Sequence, residues 1–596
     1  MTGQPLTCDL LVIGSGAAGL SAAVTAAHLG LDVIVIEKER QLGGTSAWSG
    51  GWLWIPRNHL ARAAGITEDI DAPRTYLKHE IGSHYDTALV DRFLVEGPRM
   101  VEFFATQTAL KFVDGNVIPD FHDKTPSAGL GGRSICAAPF DSRNLGARLN
   151  DLRPPLAEIS PWGMGIASGA DLRHFINATR TWASFKYVAG RTLRHGRDVV
   201  TRGRGLHLVN GNALIAGLLK SADDLGVRIM PGTTARGLLR DGAVVVGASI
   251  EQHGRATDIL DKRGVVLACG GFPHDVARKA AMLPHAPTGY EHWSAAPKTN
   301  TGDGLRLGEG AGGHVRSDLT GAAALCPVSL VPQPDGSFTH FPHLFERAKP
   351  GLIAVLPDGR RFTNEADSYQ DVTRGLLAVT PAGQRPEAWL IVDHRFIRRY
   401  GLGRVRPRPF LVQPWLANGY LKRGRTVAEL AEVTGIDATG LGQTLSGYNA
   451  FAQLGRDPEF RRGESAYNRI QGEPRQTPNP CVVPITDGPF YAVRIVPGSL
   501  GTFAGLKTDD LARVLDVHNQ PISGLYAVGN DMSSIMGGNY PAGGITLGPG
   551  MTFGYVAAHH AANVPLDNNR TTELYRVSDC VTEYPTCPIQ PSRLLT

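Results

Sequence analysis

The first 44 residues show apolar runs and small residues in a strand–turn–helix–strand pattern. CDLLVIG at 8–14 and LDVIVIE at 31–37 are short apolar runs, and LSAAVTAAHLG at 20–30 is an Ala-rich helical stretch ended by glycine. Continuous apolar runs of this length are typical of buried strands, and a helix between two of them connects parallel strands. The pattern therefore predicts one βαβ unit over residues 8–44.

Similar patterns recur later in the chain and divide it into parts. Between residues 206 and 275, a helical stretch is followed by strand-like runs that end in GVVLACGG. Between residues 284 and 484, prolines are more frequent and the periods are mixed, which indicates a separate inserted domain. The apolar run PISGLYAVGN and the helix-like TFGYVAAHHAAN then resume the first pattern.

These parts predict an α/β fold whose nucleotide-binding domain is interrupted. We expect residues 1–283 to form the first part of a Rossmann-like domain and residues 284–484 to form an inserted α+β domain with the catalytic groups. Residues 485–565 are the expected return to the first domain, and residues 566–596 are expected to be a C-terminal tail.

Composition and charge narrow the class of protein. Of the 596 residues, 42% are apolar and 19% are charged, and the net charge is only +5, so a nucleic-acid partner is not indicated. The seven cysteines are scattered and form no C-x-x-C pair, which predicts reduced thiols in a cytoplasmic protein. Cys580 and Cys587 are the only two that lie close in sequence. The start runs directly into a strand and no apolar run approaches about 20 residues, so we expect neither signal peptide nor membrane span.

GSGAAG, from Gly14 to Gly19, lies between the first strand and the first helix. The first glycine permits the tight turn, the second lets a pyrophosphate approach the backbone, and the third lets helix and strand pack closely. Glu37 ends the second strand 18 residues after Gly19, where a carboxylate can accept the ribose hydroxyls. The combination predicts dinucleotide binding.

GGTSAWSGGWLWIP, from Gly43 to Pro56, fits no helical or strand period. Its hydroxyls and bare backbone over 43–51 would let a loop run along a pyrophosphate and up to a flavin ring, which a simple nicotinamide domain does not need. The chain also returns with LYAVGND, so that Gly529 and Asn530 can meet a cofactor from another side. Both features favour FAD over NAD, and no second fingerprint is present for NAD(P).

Several motifs share one order with a known family. They are GSGAAG, GGTSAWSGG, VVLACGGF, GRRFTNEADSYQD, GTFAGLKTD and GLYAVGND. In this order the chain resembles, over about residues 8 to 562, the flavoprotein superfamily of fumarate reductases and 3-ketosteroid dehydrogenases. The resemblance implies an FAD domain interrupted by a catalytic domain, with the active site between them. Gly44 stands where succinate dehydrogenase-type members have the histidine that bonds to the flavin, which implies noncovalent FAD.

Motif and resemblance together assign a set of residues to FAD. They are Gly14, Gly16, Ala18, Gly19, Glu37, Lys38, Gly44, Thr45, Ser46, Ser49, Gly50, Gly51, Ala235, Gly270, Gly529, Asn530, Gly544 and Leu547.

Tyr369 occupies the position that separates branches of the family. The resemblance places an arginine there in fumarate reductase-like members and a tyrosine, acting as base, in 3-ketosteroid Δ1-dehydrogenases. An arginine pairs bidentately with a dicarboxylate, whereas a tyrosine suits a neutral substrate. A phenol with a pKa near 10 needs activation to act as a base near neutral pH. The alternative is a tyrosine packed in a loop with its hydroxyl on the backbone.

The segment GGNYPAGGITLGPGMTFGYVA, at 537–557, resembles the Tyr-Pro-Gly-x-Gly pattern of the ketosteroid branch. There the tyrosine hydroxyl and the last glycine N–H hold the ketone oxygen, which implies these roles for Tyr540 and Gly544. Such a pair is an oxyanion hole for the enolate that forms when the α-proton leaves. The alternative is that the glycines serve only the flavin. Leu547 is expected to begin a helix with its positive end toward the cofactor.

One departure from the ketosteroid pattern lies in IPDFHDKTP, at 118–126. The resemblance implies a further active-site tyrosine in this segment, but Phe121 or His122 stands there. If Phe121 is the match, one hydroxyl is missing; His122 could substitute, although a lone histidine is more often structural. This departure argues against a steroid as the substrate. It argues less against the dehydrogenation of a cyclic ketone in general.

The combined hypothesis is an FAD-dependent α,β-dehydrogenase of a cyclic ketone, first of all a 3-ketosteroid. A smaller cyclohexanone-type ketone, a reductase of enones or fumarate-like acids, and a non-catalytic flavin protein remain as alternatives. The expected partners are the ketone and a quinone or other electron acceptor. The basic segment 191–205 is expected to be a solvated face, and His559 and His560 lack a metal-site spacing.

Overall fold

A computed structural model describes residues 5–167, 169–408 and 410–566; of the predicted tail, therefore, all but Leu566 lies outside the described residues. The helices and strands of the first part are β1 Leu6–Ile13, α1 Ala17–His28, β2 Val33–Glu37, β3 Trp52–Trp54, α2 His59–Ala63, α3 Asp71–Ile81, α4 Thr87–Gln107, β4 Phe112–Asp114, β5 Ser134–Ala137, β6 Phe140–Asp141, α5 Ala170–Ile176, α6 Trp182–Arg202, β7 His207–Leu208, α7 Asn210–Asp224, β8 Arg228–Pro231, β9 Thr233–Asp241, β10 Val244–Gln252, β11 Arg255–Leu267 and α8 Val276–Met282.

The middle of the chain mixes short strands with helices. Its elements are β12 Trp293–Ser294, α9 Asp303–Gly310, β13 Val315–Arg316, β14 Ala323–Pro332, β15 Phe338–Pro342, β16 Leu352–Val355, α10 Tyr369–Val379, β17 Ala388–Val392, α11 His394–Tyr400, α12 Gln413–Ala417, β18 Lys422–Gly424, α13 Val427–Thr434, α14 Ala438–Ala452 and α15 Ala466–Gln471. The last part adds β19 Phe490–Thr502, β20 Gly505–Leu506, β21 Arg513–Leu515, β22 Pro521–Ala527 and α16 Leu547–Ala561.

The described residues build an eight-stranded sheet that joins the two ends of the chain. Its main path runs β21-β22-β11-β1-β2-β8, and β10 and β9 extend from β11 as an antiparallel pair. β1 is parallel to β2 and β11, and the late strand β22 is parallel to β11. The prediction of a Rossmann-like sheet interrupted by an insertion is therefore confirmed.

A second sheet, of seven strands in the described residues, is built mainly by the inserted segment. Its path is β15-β14-β19-β17-β16, with β12 and β18 also pairing β19. β19 is buried along almost its whole length, which fits a central strand. The predicted boundary at residue 484 precedes β19, yet both edges of this strand pair with strands of the inserted segment. The limits of the domains remain a prediction.

Helices α1 and α16 pack closely against each other beside the first sheet. The Ser21 hydroxyl donates a hydrogen bond to the Met551 carbonyl at 2.7 Å. A Cβ added at Gly554 of α16 would lie 2.5 Å from the Ala18 carbonyl oxygen. This contact fixes the start of α1 relative to the return segment. No helix among the described residues has the length and apolar content needed to cross a bilayer.

Candidate active site

A cavity of about 470 Å³ collects the predicted site residues from both parts of the chain. All of the residues predicted for FAD line it except Gly19. Gly19 lies behind the turn, and a Cβ there would be 2.2 Å from the Gly14 carbonyl oxygen. This position agrees with the packing role predicted for the third glycine.

The start of α1 opens into the cavity, and the Ala17 N–H there donates to the Ser46 hydroxyl at 3.1 Å. Gly14 has φ +116°, and a Cβ at this position would lie 2.2 Å from the Ala268 carbonyl oxygen. Gly16 is the N-cap residue and has only the Ser46 hydroxyl within 4 Å of its would-be Cβ, at 3.6 Å. The N–H groups at a helix N-terminus bind anions, so this end of α1 fits a pyrophosphate.

The Glu37 carboxylate is held rigidly at the edge of the same cavity. It accepts hydrogen bonds from the Ser15 N–H at 3.1 Å and the Ser15 hydroxyl at 2.7 Å, and from the Glu39 N–H at 3.0 Å. Next to it, the Lys38 ammonium forms an ion pair with Asp303. A fixed carboxylate at the end of β2 fits a ribose, as the sequence predicts.

The aperiodic stretch after β2 forms a 3-10 helix over Gly44–Trp48 and then runs along the cavity. Gly44 has φ +49° and no atom within 4 Å of its would-be Cβ. At Gly51, φ is +69° and a Cβ would lie 2.5 Å from the Asn210 backbone. The two glycines thus serve different needs, since Gly44 leaves open space and Gly51 permits a close backbone approach.

The return segment reaches the cavity at a 3-10 helix over Gly529–Asp531. The buried Asp531 carboxylate accepts hydrogen bonds from the Cys269 N–H at 2.5 Å and the Gly271 N–H at 2.9 Å. Burial raises the pKa of Asp531 to about 6. This carboxylate ties the ends of β11 and β22 together and places Gly529 and Asn530 at the cavity, where they were expected.

Aromatic rings from separate segments meet at another part of the cavity wall. The Tyr369 and Tyr540 ring centroids are 5.0 Å apart in an edge-to-face arrangement. The Phe121 ring is 5.6 Å from Tyr369, 5.8 Å from Tyr540 and 4.5 Å from Tyr467. All of these side chains are buried and line the cavity, so the structure brings together three predicted catalytic residues and one that sequence reasoning missed.

Both central tyrosines are weaker acids than a free phenol. Burial raises the pKa of Tyr369 well above 10, and the neighbouring Tyr540 and Tyr467 hydroxyls raise it further. Burial also raises the pKa of Tyr540, to about 12, although Tyr369 and Thr546 oppose the shift. Both phenols are therefore neutral at pH 7 in the protein as described. Tyr369 is the first residue of α10, whose positive end favours negative charge.

Gly544 carries a buried N–H that has no hydrogen-bond acceptor among the residues the structure describes. Its φ is +104°, and a Cβ would lie 2.6 Å from the Trp54 backbone nitrogen, whose N–H donates to the Gly544 carbonyl at 3.1 Å. Buried N–H groups without partners are rare in folded proteins. At the wall of a cavity, such a group is a ready donor to a ligand oxygen.

Phe121 and His122 have different surroundings. The Phe121 N–H donates to the Pro541 carbonyl at 2.9 Å, which fixes its ring beside Tyr540. The His122 side chain does not line the cavity; it contacts the Glu80 carboxylate at 2.6 Å and the Asp371 carboxylate at 2.9 Å. These two carboxylates, against the effect of burial, raise the pKa of His122 to about 10. His122 thus joins the start of α10 to α3, and Phe121 is the residue at the ring cluster.

Some residues of the cavity carry no signal in the sequence. They include Tyr467 and Gln471 of α15, Glu346, and Arg406 in the segment between α11 and α12. Glu346 is paired with His343 at 2.6 Å. The basic segment 191–205 lies largely on α6, away from this cavity, and His560 bonds the Tyr526 hydroxyl at 2.8 Å. Among the described residues, no group of His, Cys, Asp or Glu could hold a metal ion.

The chain is similar to known proteins along most of its length. The family described as "FAD binding domain" matches residues 9–547. The chain is 37% identical over 564 residues to the 4-oxocyclohex-2-ene-1-carboxylate 5-dehydrogenase of Sinomonas cyclohexanicum, covering 94% of this chain and 95% of that protein. It is 35% identical over 570 residues to the 3-oxosteroid 1-dehydrogenase of Mycobacterium tuberculosis, covering 93% and 98%.

A solved structure shares the fold closely. The 3-ketosteroid Δ1-dehydrogenase of Sterolibacterium denitrificans, in complex with 1,4-androstadiene-3,17-dione, aligns with a TM-score of 0.86 and 34% identity, over 94% of this chain and 99% of that one. The extent of these matches excludes a chance resemblance of motifs. The chain therefore belongs to the FAD-binding flavoprotein family of 3-oxosteroid and 4-oxocyclohexene carboxylate dehydrogenases, and it is an FAD-dependent oxidoreductase that acts on CH–CH groups of cyclic ketones.

Proposed function

We propose that the protein desaturates a cyclic ketone between the carbons α and β to its carbonyl. Tyr369 is the base, and Tyr540 and the Gly544 amide hold the carbonyl oxygen. The observation that carries the proposal is the Gly544 N–H, which has no acceptor among the described residues and lies in a cavity that also holds two tyrosines with ring centroids 5.0 Å apart. A ketone needs donors at its oxygen and a base at its α-carbon, and this wall offers both.

Each group has one task in the reaction. The α-carbon gives its proton to the ionised phenolic oxygen of Tyr369, and the electron pair moves toward the carbonyl oxygen. The Tyr540 hydroxyl and the Gly544 N–H donate to that oxygen and stabilise the enolate. FAD, when bound by the residues along the first sheet, supplies the acceptor for the hydride that leaves the β-carbon. The product is an α,β-unsaturated ketone, and a quinone or another acceptor takes the electron pair afterwards.

Noncovalent attachment of the cofactor is part of the proposal. Gly44 has no side chain and faces open space at the cavity, so it offers no atom for a bond to the flavin.

The first substrate class we propose is a 3-oxosteroid. The support is the extent of the match with enzymes named for that reaction and with a structure that holds a 3-oxosteroid product. A cyclohexanone-type ketone is a second candidate. The observation that favours it is Phe121, which gives the ring cluster one hydroxyl fewer than the resemblance to the steroid branch predicts.

The test is anaerobic reduction of the bound flavin. Purified protein is mixed with 4-androstene-3,17-dione or with cyclohexanone, and the loss of visible flavin absorbance is followed. We expect one of the ketones to bleach the flavin, and Tyr369→Phe to keep FAD but lose bleaching by about 1000-fold. Full bleaching by Tyr369→Phe would rule out the assigned base. If neither ketone bleaches wild-type protein, and no cyclic ketone acid does so either, the proposed desaturation is wrong. The chemically reduced flavin should then be offered enones and fumarate.

A further inference from the structure

Arg406 brings a positive charge to a largely apolar cavity. It lies between α11 and α12 and shares the lining with Leu156, Ile159 and Phe341. One guanidinium nitrogen donates to the Glu158 carbonyl at 3.2 Å. Among the described residues, Arg406 makes no ion pair and no second hydrogen bond. The guanidinium has five N–H donors, so most of them are available to something that enters the cavity.

The fully buried arginines of the inserted segment have carboxylate or carbonyl partners, although the Nε atom of Arg462 has none among the described residues. Arg361 binds the Glu365 and Asp457 carboxylates at 2.8 to 2.9 Å, and Arg462 binds Glu365 at 3.0 Å. Arg347 donates to backbone carbonyls, including those of Glu365 and Asp367. Partnering of this kind is what removal of a charge from water normally requires. Arg406 is half-buried and makes a single hydrogen bond among the described residues, and it is the one of these arginines that lines the cavity.

A like charge lies beside Arg406. Arg404 donates to the same Glu158 carbonyl at 3.1 Å and also makes no ion pair within the described residues. Burial and the nearby Arg404 lower the pKa of Arg406 to about 10, which leaves the group charged at neutral pH. The Glu346 carboxylate at the cavity contacts the His343 imidazole and not Arg406. Two neighbouring guanidinium groups that make no ion pair in the described part of the chain favour an anion from outside it.

The cofactor's phosphates have a site elsewhere in the cavity. The start of α1 and the glycines before it, which follow strand β1 of the first sheet, form the part of the cavity that fits those phosphates. The anion is then carried by the substrate. A planar guanidinium matches a carboxylate through two parallel hydrogen bonds.

We infer that Arg406 binds a carboxylate on the ketone substrate, so that the enzyme takes a cyclic ketone acid in preference to a neutral ketone. The inference rests on the proposed function and names the substrate class of the same site. The carboxylate can be carried by a cyclohexanone ring or by the side chain of a steroid, and the experiment distinguishes the two.

The test compares acids with neutral ketones of the same frame. The pairs are 4-oxocyclohexanecarboxylate with cyclohexanone, and 3-oxochol-4-en-24-oic acid with 4-androstene-3,17-dione. We expect Arg406→Met to lower kcat/KM for one acid by roughly 100-fold, mainly through KM, and to leave its neutral partner within about threefold. The acid that shows this loss identifies the frame.

Two further variants serve as controls. Arg404→Met removes the neighbouring charge, and Arg404 does not line the cavity. This variant should keep kcat/KM for the acid within about threefold of the wild-type value. Arg406→Lys should recover part of the loss, since it keeps the charge without the planar fork. An equal loss on acid and neutral ketone, or no loss on either acid, would overturn the inference. Loss of FAD from Arg406→Met would overturn it as well, because the anion would then be the cofactor's phosphate.

A binding measurement separates failure of this inference from failure of the proposed function. Cyclohexanecarboxylate and the steroid acid are titrated into the oxidised holoenzyme, and the shift of the flavin spectrum gives Kd without turnover. Binding that weakens at least tenfold in Arg406→Met supports the carboxylate site even if no ketone reduces the flavin. Binding that is equal in both proteins, or not detected in either, contradicts it.

Discussion

The two walls of the cavity are built in different ways. The wall assigned to FAD is mostly backbone from turns at the ends of neighbouring strands, where a Cβ at Gly14 or Gly51 would meet main-chain atoms at 2.2 to 2.5 Å. The wall assigned to the ketone consists of side chains from distant segments, such as Phe121, Tyr369 and Tyr540. The first wall is therefore fixed by the fold, whereas the second can change one group at a time.

The largest expected effect is at the backbone wall. Gly14→Ala combines φ +116° with a contact at 2.2 Å, so we expect a loss of at least about 4 kcal/mol in the free energy of unfolding, and little protein with FAD. Gly16→Ala is the matched variant, because φ is −68° and the nearest atom is 3.6 Å away. It should fold normally but bind FAD roughly 100-fold more weakly, since the methyl group occupies the phosphate site.

Thermal unfolding and the FAD content of purified protein check this pair of variants. A Gly16→Ala protein that binds FAD as wild type does would show that the start of α1 is not the phosphate site. Equal instability of the two variants would contradict the distinction between the glycine that packs and the glycine that faces the ligand.

The side-chain wall should lose chemistry without losing FAD. Tyr540→Phe removes one of the two donors proposed for the carbonyl oxygen, so we expect kcat to fall by roughly 300-fold while the FAD content stays the same. Tyr448→Phe is the control, because Tyr448 is a buried tyrosine outside the cavity whose hydroxyl has no partner among the described residues. Single-turnover reduction of the flavin measures the effect. A loss shared by both variants would indicate general damage to the fold.

The same contrast explains what the sequence could predict. The FAD wall is encoded in consecutive residues such as 14–19 and 43–51, whose spacing carries the geometry of a strand, a turn and a helix. The resumed strand β22 was also predictable, since its apolar run is like that of β1. β19 was predicted as part of the return segment, because an apolar run does not tell which sheet a strand joins.

The ketone wall was predictable only where a motif carried it. Tyr369 and Tyr540 came from resemblance to a family and not from any period in the chain. Tyr467 and Arg406 lie in segments without a pattern, and only the folded chain brings them to the cavity. The assignment of IPDFHDKTP stayed open between Phe121 and His122, because a shift of one residue exchanges a ring at the cavity for a histidine between two carboxylates.

The pH dependence of the reaction tests the base at the side-chain wall. The base must be ionised to accept the α-proton, and burial holds the pKa of Tyr369 well above 10. We therefore expect kcat/KM to rise about tenfold per pH unit from pH 7 to pH 9, without a plateau, while the FAD content stays constant. Stopped-flow reduction at saturating FAD gives the profile. A plateau below pH 8 would assign the base to a group other than buried Tyr369.

The smallest expected effect comes from Phe121→Tyr, which adds a hydroxyl to the side-chain wall. The Phe121 ring lies 5.6 Å from Tyr369 and 4.5 Å from Tyr467, so a new hydroxyl has phenolic partners nearby. A hydroxyl at this position that donates a hydrogen bond to the Tyr369 phenolate stabilises its charge and lowers its pKa, which is opposite to the effect of Tyr540 and Tyr467, and we expect kcat/KM for 4-androstene-3,17-dione at pH 7 to rise by about threefold to tenfold. FAD content and thermal midpoint should not change.

The matched control is Phe503→Tyr, at a ring 5.8 Å from Tyr540 that does not line the cavity. It adds the same atom without a place at the ketone wall and should not increase the rate. If Phe121→Tyr instead lowers kcat/KM for the steroid and spares cyclohexanone, the added oxygen overfills a cavity shaped for a smaller ring. The lack of a hydroxyl at Phe121 would then be explained by the size of the substrate and not by the activation of Tyr369. The cyclohexanone-type ketone would become the first substrate class.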